Sequence, residues 1–153
     1  MLNVGDPAPD VTLLFPDGSG QPLSAWAGRK LALYFYPRDD TPGCTSEAQD
    51  FSRLLPEFEA ADTEVIGISR DTAASHDKFT AKYGLGHRLA VDDGAVSEAF
   101  GTWVEKSMYG RKYMGLARAT FLIGRDGQVA AAWPKVSVKG HADAVLKAAR
   151  ALG

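Results

Sequence analysis

Cys44 is the only thiol in the 153-residue chain, and Thr41, Pro42 and Gly43 immediately before it are residue types that can make a thiol reactive. The nucleophile of thiol chemistry is the thiolate, and an ordinary thiol of pKa about 8.5 is only about 7% ionised at cytoplasmic pH. Something has to favour the anion. In YPRDDTPGCTSEAQDF an apolar run breaks at Pro37, a turn-rich loop follows, and the thiol arrives at the start of a helical pattern. A helix N-terminus offers unpaired backbone N–H groups and the positive end of the macrodipole. Pro42 presets its own φ without needing the donor it lacks, and Gly43 lets the backbone approach whatever sits on the sulfur. The Thr41 hydroxyl can both donate and accept beside the thiol.

Ionisation alone is a small lever. Shifting a thiol to pKa about 6 raises its anion population about tenfold, at most about 1.4 kcal/mol. A fast catalyst therefore needs donors aimed at the oxygens of a substrate as the bond to sulfur forms. A fixed cation and a hydroxyl beside the sulfur would meet that need, and these arguments alone do not choose among the several arginines. Each residue also has an ordinary use: Cys44 as a small buried hydrophobe, Thr41 as a helix cap, Arg118 as a strand arginine that snorkels, Glu47 as an acid stabilising a first helical turn.

The elements that must position Cys44 follow from hydrophobic periodicity. Leu31 to Tyr36 (LALYFY) is a continuous apolar run, as in a strand covered on both faces. Thr45 to Ala61 is helix-like, with Ala48, Phe51, Leu54, Leu55 and Phe58 forming an apolar stripe and Pro56 predicting a kink or break just before it. Strands are expected at Val11 to Leu14, Glu64 to Ser69 and His87 to Val91, and helices at Ala73 to Tyr83, Val96 to Phe100 and Ala142 to Leu152. Ala119 to Ile123 and Val129 to Trp133 form a hairpin around Arg125-Asp126-Gly127. Strands alternating with helices, closed by an antiparallel hairpin, imply an α/β fold: a three-layer sandwich with a mixed central sheet, of thioredoxin-like architecture, in one domain spanning residues 1–153.

Bulk properties narrow the function. Seventeen Lys and Arg against nineteen Asp and Glu, both signs scattered, remove the electrostatic case for nucleic acid or an anionic membrane surface. No stretch approaches the roughly eighteen apolar residues of a spanning helix, and MLNVGDPAPDVTL has neither a basic nor an apolar export region. A lone cysteine excludes an intrachain disulfide and fits a reducing compartment, so a soluble cytoplasmic protein is expected. His76, His87 and His141 show no metal-ligand spacing and are expected as surface or capping residues; Asp39-Asp40 and Asp92-Asp93 are expected as turn carboxylates.

TPGCTSEAQDF, preceded by LALYFYPRDD, resembles the active-site segment of the peroxiredoxins, and most closely the peroxiredoxin Q or bacterioferritin comigratory group, with its pattern TPGCTxE. The likeness runs through GDPAPDVTL, VIGISRD, EKSMYGRKYMGLARATFLIGRDGQV and HADAVLKAARAL, nearly the whole chain. It implies a thiol-dependent peroxidase needing no metal, haem or flavin. Cys44 would attack a hydroperoxide to give a sulfenic acid, and Thr41 would accept the peroxide's hydrogen bond. Pro42 would shield the sulfenic acid while the backbone N–H groups of Gly43 and Cys44 cradle the substrate. The choice of Arg118 as the cation comes from the resemblance, as does Glu47 holding that arginine. The resemblance favours a monomer and admits a dimer.

The chain departs from its family at the resolving cysteine. That residue stands in many members five positions after the peroxidatic one, here Gln49, and in others in the following helix, here near Thr80. An external thiol must then reduce the sulfenic acid, with thioredoxin, glutaredoxin and glutathione as candidates, and oxidation to sulfinic acid should be easier. A disulfide reductase would need Cys-x-x-Cys, and the third residue after Cys44 is Glu47. The alternative from another class is a peroxide-sensing or holdase-like interaction protein that uses Cys44 as a switch.

Overall fold

The computed structural model describes residues 1–153. In chain order the elements are β1 (Thr12–Leu14), β2 (Gly20–Pro22), a 3-10 turn (Leu23–Trp26), β3 (Lys30–Phe35), α1 (Pro42–Arg53), α2 (Leu55–Ala60), β4 (Thr63–Ser69), α3 (Ala73–Tyr83), β5 (Arg88–Val91), α4 (Ala95–Phe100), β6 (Trp103–Met108), β7 (Arg111–Leu116), β8 (Ala119–Ile123), β9 (Val129–Trp133) and α5 (His141–Ala151). Seven strands form one mixed sheet in the order β2-β1-β5-β4-β3-β8-β9, with β3, β4 and β5 parallel and the other pairs antiparallel.

All six residues of β3 are buried because both faces of the sheet are covered. Successive side chains alternate, so Leu31, Leu33 and Phe35 enter one core while Ala32 and Tyr34 enter the other. The first core is closed by α4 and the 3-10 turn, through Val96, Phe100, Leu23 and Trp26. The second is closed by α1, α2, α3 and α5, through Phe51, Phe58, Phe79 and Val145, and Cys44 lies within it. These layers are the three expected from the element order.

The helix after the thiol loop begins at Pro42 rather than Thr45, because proline is pre-organised for the first helical position. Its stripe is broken where Pro56 predicts: Leu54 ends α1 and leads into α2, with Pro56 in the first turn of the second helix. Three features have no counterpart in the sequence reading: the short strand β2, the 3-10 turn Leu23–Trp26 and the separate hairpin β6–β7. Tyr109 and Gly110 turn that hairpin with φ of 51° and 77°. Such a left-handed pair is usually announced by Asn-Gly or Asp-Gly, and Tyr-Gly gives a weaker signal.

Candidate active site

The strand-to-helix turn after β3 delivers Cys44 as the third residue of α1, buried to 1% exposure under the second core. Pro42, Gly43 and Cys44 occupy the first turn, where backbone N–H groups have no carbonyl four residues back within the helix. Thr41 holds the N-cap position with extended backbone, yet its hydroxyl does not cap. Instead Oγ1 donates to the Arg38 carbonyl at 2.9 Å. The ordinary use of Thr41 as a helix cap is thus not realised: its one hydrogen is committed backward into the loop, and the oxygen lone pairs remain as acceptors.

Arg118 lies in the two-residue link between β7 and β8, beside β3 through the β8 pairing. Its Nη2 donates to Cys44 Sγ at 3.2 Å and its Nη1 to Glu47 Oε1 at 2.8 Å. One rigid planar fork thus joins the sulfur to a carboxylate. A side chain at Gly43 would put its Cβ 3.2 Å from Arg118 Nη2, so glycine leaves room for the guanidinium. The structure brings together Cys44, Gly43, Glu47 and Arg118.

Glu47 is not in the first helical turn; it is the sixth residue of α1, because the helix starts three residues earlier than the sequence suggests. It is 1% exposed and its Oε2 has no partner. Burial pushes its carboxyl up to about 7 against the opposing pull of Arg118. Burial works against the charge of Arg118, but Glu47 and Cys44 together hold its pKa above the ordinary value. Lys106 of β6 is a second cation close enough to respond: burial and the Arg118 charge lower its pKa, and the charge on Cys44 opposes them.

The three histidines are buried, not on the surface, because each ring has polar partners that offset its burial. His87 lies between Tyr34 Oη at 2.6 Å and Ser52 Oγ at 2.8 Å, and burial lowers its pKa to about 4. Thr120 Oγ1 is 2.8 Å from His141 Nε2, and burial followed by the Arg118 charge lowers His141 to about 4. His76 contacts Asp39, which lies in the turn expected of it and is also a buried acceptor of several bonds. Asp92 does serve its turn, accepting from Gly94, Val96 and Ser97 N–H groups at the start of α4. A separate cleft of about 370 Å³ beside Asp10, Trp26 and Arg125 contains none of the residues around Cys44.

A buried sulfur at a helix start, facing a guanidinium locked by a carboxylate, is a candidate thiol site on an α/β sandwich. The chain belongs to the AhpC/TSA family, which residues 4–132 match, and within it to the peroxiredoxin Q or bacterioferritin comigratory group. It is 50% identical over 143 residues to peroxiredoxin Bcp of Xanthomonas campestris pv. campestris, covering 93% of this chain and 89% of that one. It is 42% identical over 147 residues to peroxiredoxin Bcp of Bacillus subtilis, covering 95% and 94%. Among solved structures, Xylella fastidiosa PrxQ superposes with a TM-score of 0.92 at 39% identity, covering 99% and 97%. Xanthomonas campestris peroxiredoxin Q superposes with 0.91 at 46%, covering 98% and 99%. The fold is the thioredoxin-like one of these proteins. The Xanthomonas protein has been solved with serine replacing either of two cysteines, whereas this chain has one. No helix of this chain is long and apolar enough to cross a membrane.

Proposed function

We propose that Cys44 is the peroxidatic residue of a thiol-dependent peroxidase that reduces hydrogen peroxide and organic hydroperoxides. The observation that carries this reading is the Arg118 fork, with the sulfur at 3.2 Å and Glu47 at 2.8 Å. The Cys44 thiolate attacks the nearer peroxide oxygen, an S–O bond forms as the O–O bond breaks, and the departing oxygen leaves as water or alcohol after taking a proton. Sulfur is oxidised to sulfenic acid and the peroxide is reduced by two electrons. Arg118 meets negative charge on the reacting oxygens, and such a fixed donor is worth about 3 kcal/mol in a site from which water is excluded. Thr41 accepts the peroxide O–H with its free lone pairs, Pro42 shields the product, and the Gly43 and Cys44 N–H groups hold the substrate.

With one cysteine, the cycle closes through an external thiol: it condenses with the sulfenic acid, releasing water and forming a mixed disulfide, and a second thiol frees Cys44. Thioredoxin, glutaredoxin and glutathione are the reductant classes, a reducing cytoplasm the compartment, and a monomer acting as one domain the functional unit. Steady-state peroxide consumption by wild type and Cys44→Ser with each thiol supplied in turn tests this. Many turnovers per chain, lost in the variant, are expected; consumption of about one peroxide per chain whatever the thiol would instead make the protein a sensor.

A further inference from the structure

The loop Arg38 to Thr41 enters α1 through strained backbone, since Asp40 has φ of 57°, a left-handed conformation that residues with a Cβ rarely adopt. Such strain persists only where neighbouring contacts over-determine it, and here both side-chain contacts of Asp40 and two of those of Asp39 come from α3. Asp39 Oδ2 accepts from Ser75 Oγ at 2.8 Å and lies 2.7 Å from His76 Nδ1. Asp40 accepts from Lys82 Nζ at 2.8 Å and from Tyr83 Oη at 2.5 Å. From the other side Tyr36 Oη donates to Asp39 Oδ1, and the Asp39 N–H donates to Asp71 Oδ2, which also accepts from Ser69 Oγ.

His76 is fully buried with an acceptor at each ring nitrogen: Asp39 Oδ2 at Nδ1, and the Ala90 carbonyl of β5 at Nε2, 2.8 Å away. A carbonyl can only accept, so Nε2 carries hydrogen. A bare Nδ1 would then set its lone pair against a carboxylate, so the 2.7 Å contact needs a proton as well. The ring is therefore a two-ended donor that ties the thiol loop to the sheet.

We propose that α3 braces the loop that carries Thr41, and that His76, through Asp39, is a positioning residue for peroxide reduction. This rests on the peroxidase reading above and adds to it residues that touch neither sulfur nor substrate. The groups facing His76 are Asp39 from the loop, Asp71 ahead of α3, Ser75 on α3, the Tyr36 ring from the end of β3, and the Ala90 carbonyl from β5. Burial alone would discharge the ring, but Asp39, the Ala90 carbonyl and Asp71 outweigh it, so its pKa lies above the ordinary value. The brace is then complete below the ordinary histidine pKa of about 6.5 and is lost as pH rises through the raised one.

The test is single-turnover oxidation of Cys44 by hydrogen peroxide from about pH 6 to about pH 9 in wild type and His76→Gln, with thermal melts of both. Gln can meet one acceptor but cannot hold an ionisable proton between two. The rate constant of the variant should be about tenfold lower at neutral pH, and the ratio of wild type to variant should shrink as pH rises. A merely structural residue would lower the melting temperature and leave that ratio independent of pH, which would overturn the proposal. Should His76→Gln not fold, the double change Lys82→Met and Tyr83→Phe loosens Asp40 from the surface. About a threefold slower oxidation is then expected, and an unchanged rate would refute the brace. Absence of peroxide reduction in wild type would instead strike the peroxidase reading itself.

Discussion

Replacing Glu47 by Gln should make the protein relatively more stable as pH rises while making it a poorer enzyme. The carboxyl titrates at about 7 in the fold against its ordinary 4.5, chiefly because it is buried, with Arg118 opposing. The folded state thus binds this proton more tightly than the unfolded chain, and the stability it contributes is fully present below about pH 4.5 and lost as pH rises through about 7. The two values differ by the equivalent of about 3 kcal/mol. Gln has no proton to lose, so the difference in unfolding free energy, variant minus wild type, should rise by about 3 kcal/mol between about pH 4 and about pH 8. The offset at any one pH is a separate matter, because an amide where Oε2 now lies unpartnered adds a penalty that does not vary with pH. Taking the difference cancels groups common to both proteins, including His76, His87 and His141. Urea denaturation at matched pH values measures it, with an unchanged m-value as the control. Peroxide reduction should fall about tenfold, since a neutral amide holds Arg118 less firmly. A difference that stays flat or falls with pH would refute the claim that Glu47 is held against its own burial cost to orient the guanidinium.

Arg118→Lys keeps the charge but loses the fork that reaches Cys44 and Glu47 together, so kcat/KM should drop about a hundredfold or more, measured by steady-state peroxide consumption. Lys30, buried at the start of β3, donates from Nζ to the Ala149 and Leu152 carbonyls at the end of α5, at 2.8 and 2.7 Å. Lys30→Met should cost about 1–3 kcal/mol in urea unfolding and leave peroxide reduction unchanged. Gly67→Ala should cost at least about 1–3 kcal/mol, because its Cβ would lie 2.5 Å from Cζ of Tyr34, whose ring is stacked on Phe51 at 4.6 Å and cannot retreat. With peroxide in excess and thiol withheld, intact-protein mass should show Cys44 gaining a second oxygen; a mass that stops at one would refute the claim that an unresolved sulfenic acid is easily overoxidised.

The readable parts of this chain were those whose signals are local. LALYFY announces a doubly covered strand, Pro56 announces the break at Leu54, and the run Thr41-Pro42-Gly43-Cys44 announces a helix start bearing a thiol. Asp-Gly marked the β8–β9 hairpin, whereas Tyr-Gly hid the turn of β6–β7. Glu47 reads as a first-turn acid in the sequence and lies a turn further on because Pro42 itself begins the helix. The burial of the histidines is hidden for another reason. A buried imidazole is tolerable only with partners, and those partners are distant in sequence: Asp39 is 37 residues from His76, Ser52 is 35 from His87, and Thr120 is 21 from His141. No periodicity encodes such pairings, so polar residues whose burial depends on tertiary contacts read as surface residues.

That division bears on how a one-cysteine chain uses α3. Forming an internal disulfide requires two Cα atoms to come within about 7 Å, so a helix bearing a resolving thiol has to meet the peroxidatic sulfur at that range. Here α3 has Thr80, half-buried, and no thiol, so no such approach is demanded of it. A helix relieved of that demand can stay fixed through the cycle, and its four donors to Asp39 and Asp40 then act on the loop throughout. Electrons reach the sulfur from outside, and Cys44 is nearly inaccessible at 1% exposure. If the contacts between α3 and the loop hold throughout, the part that yields to admit a reductant lies elsewhere. Hydrogen exchange during turnover should show the Arg38 to Thr41 amides as protected as in the resting protein; a loss of protection there, together with α3, would mean that the brace itself opens to admit the thiol.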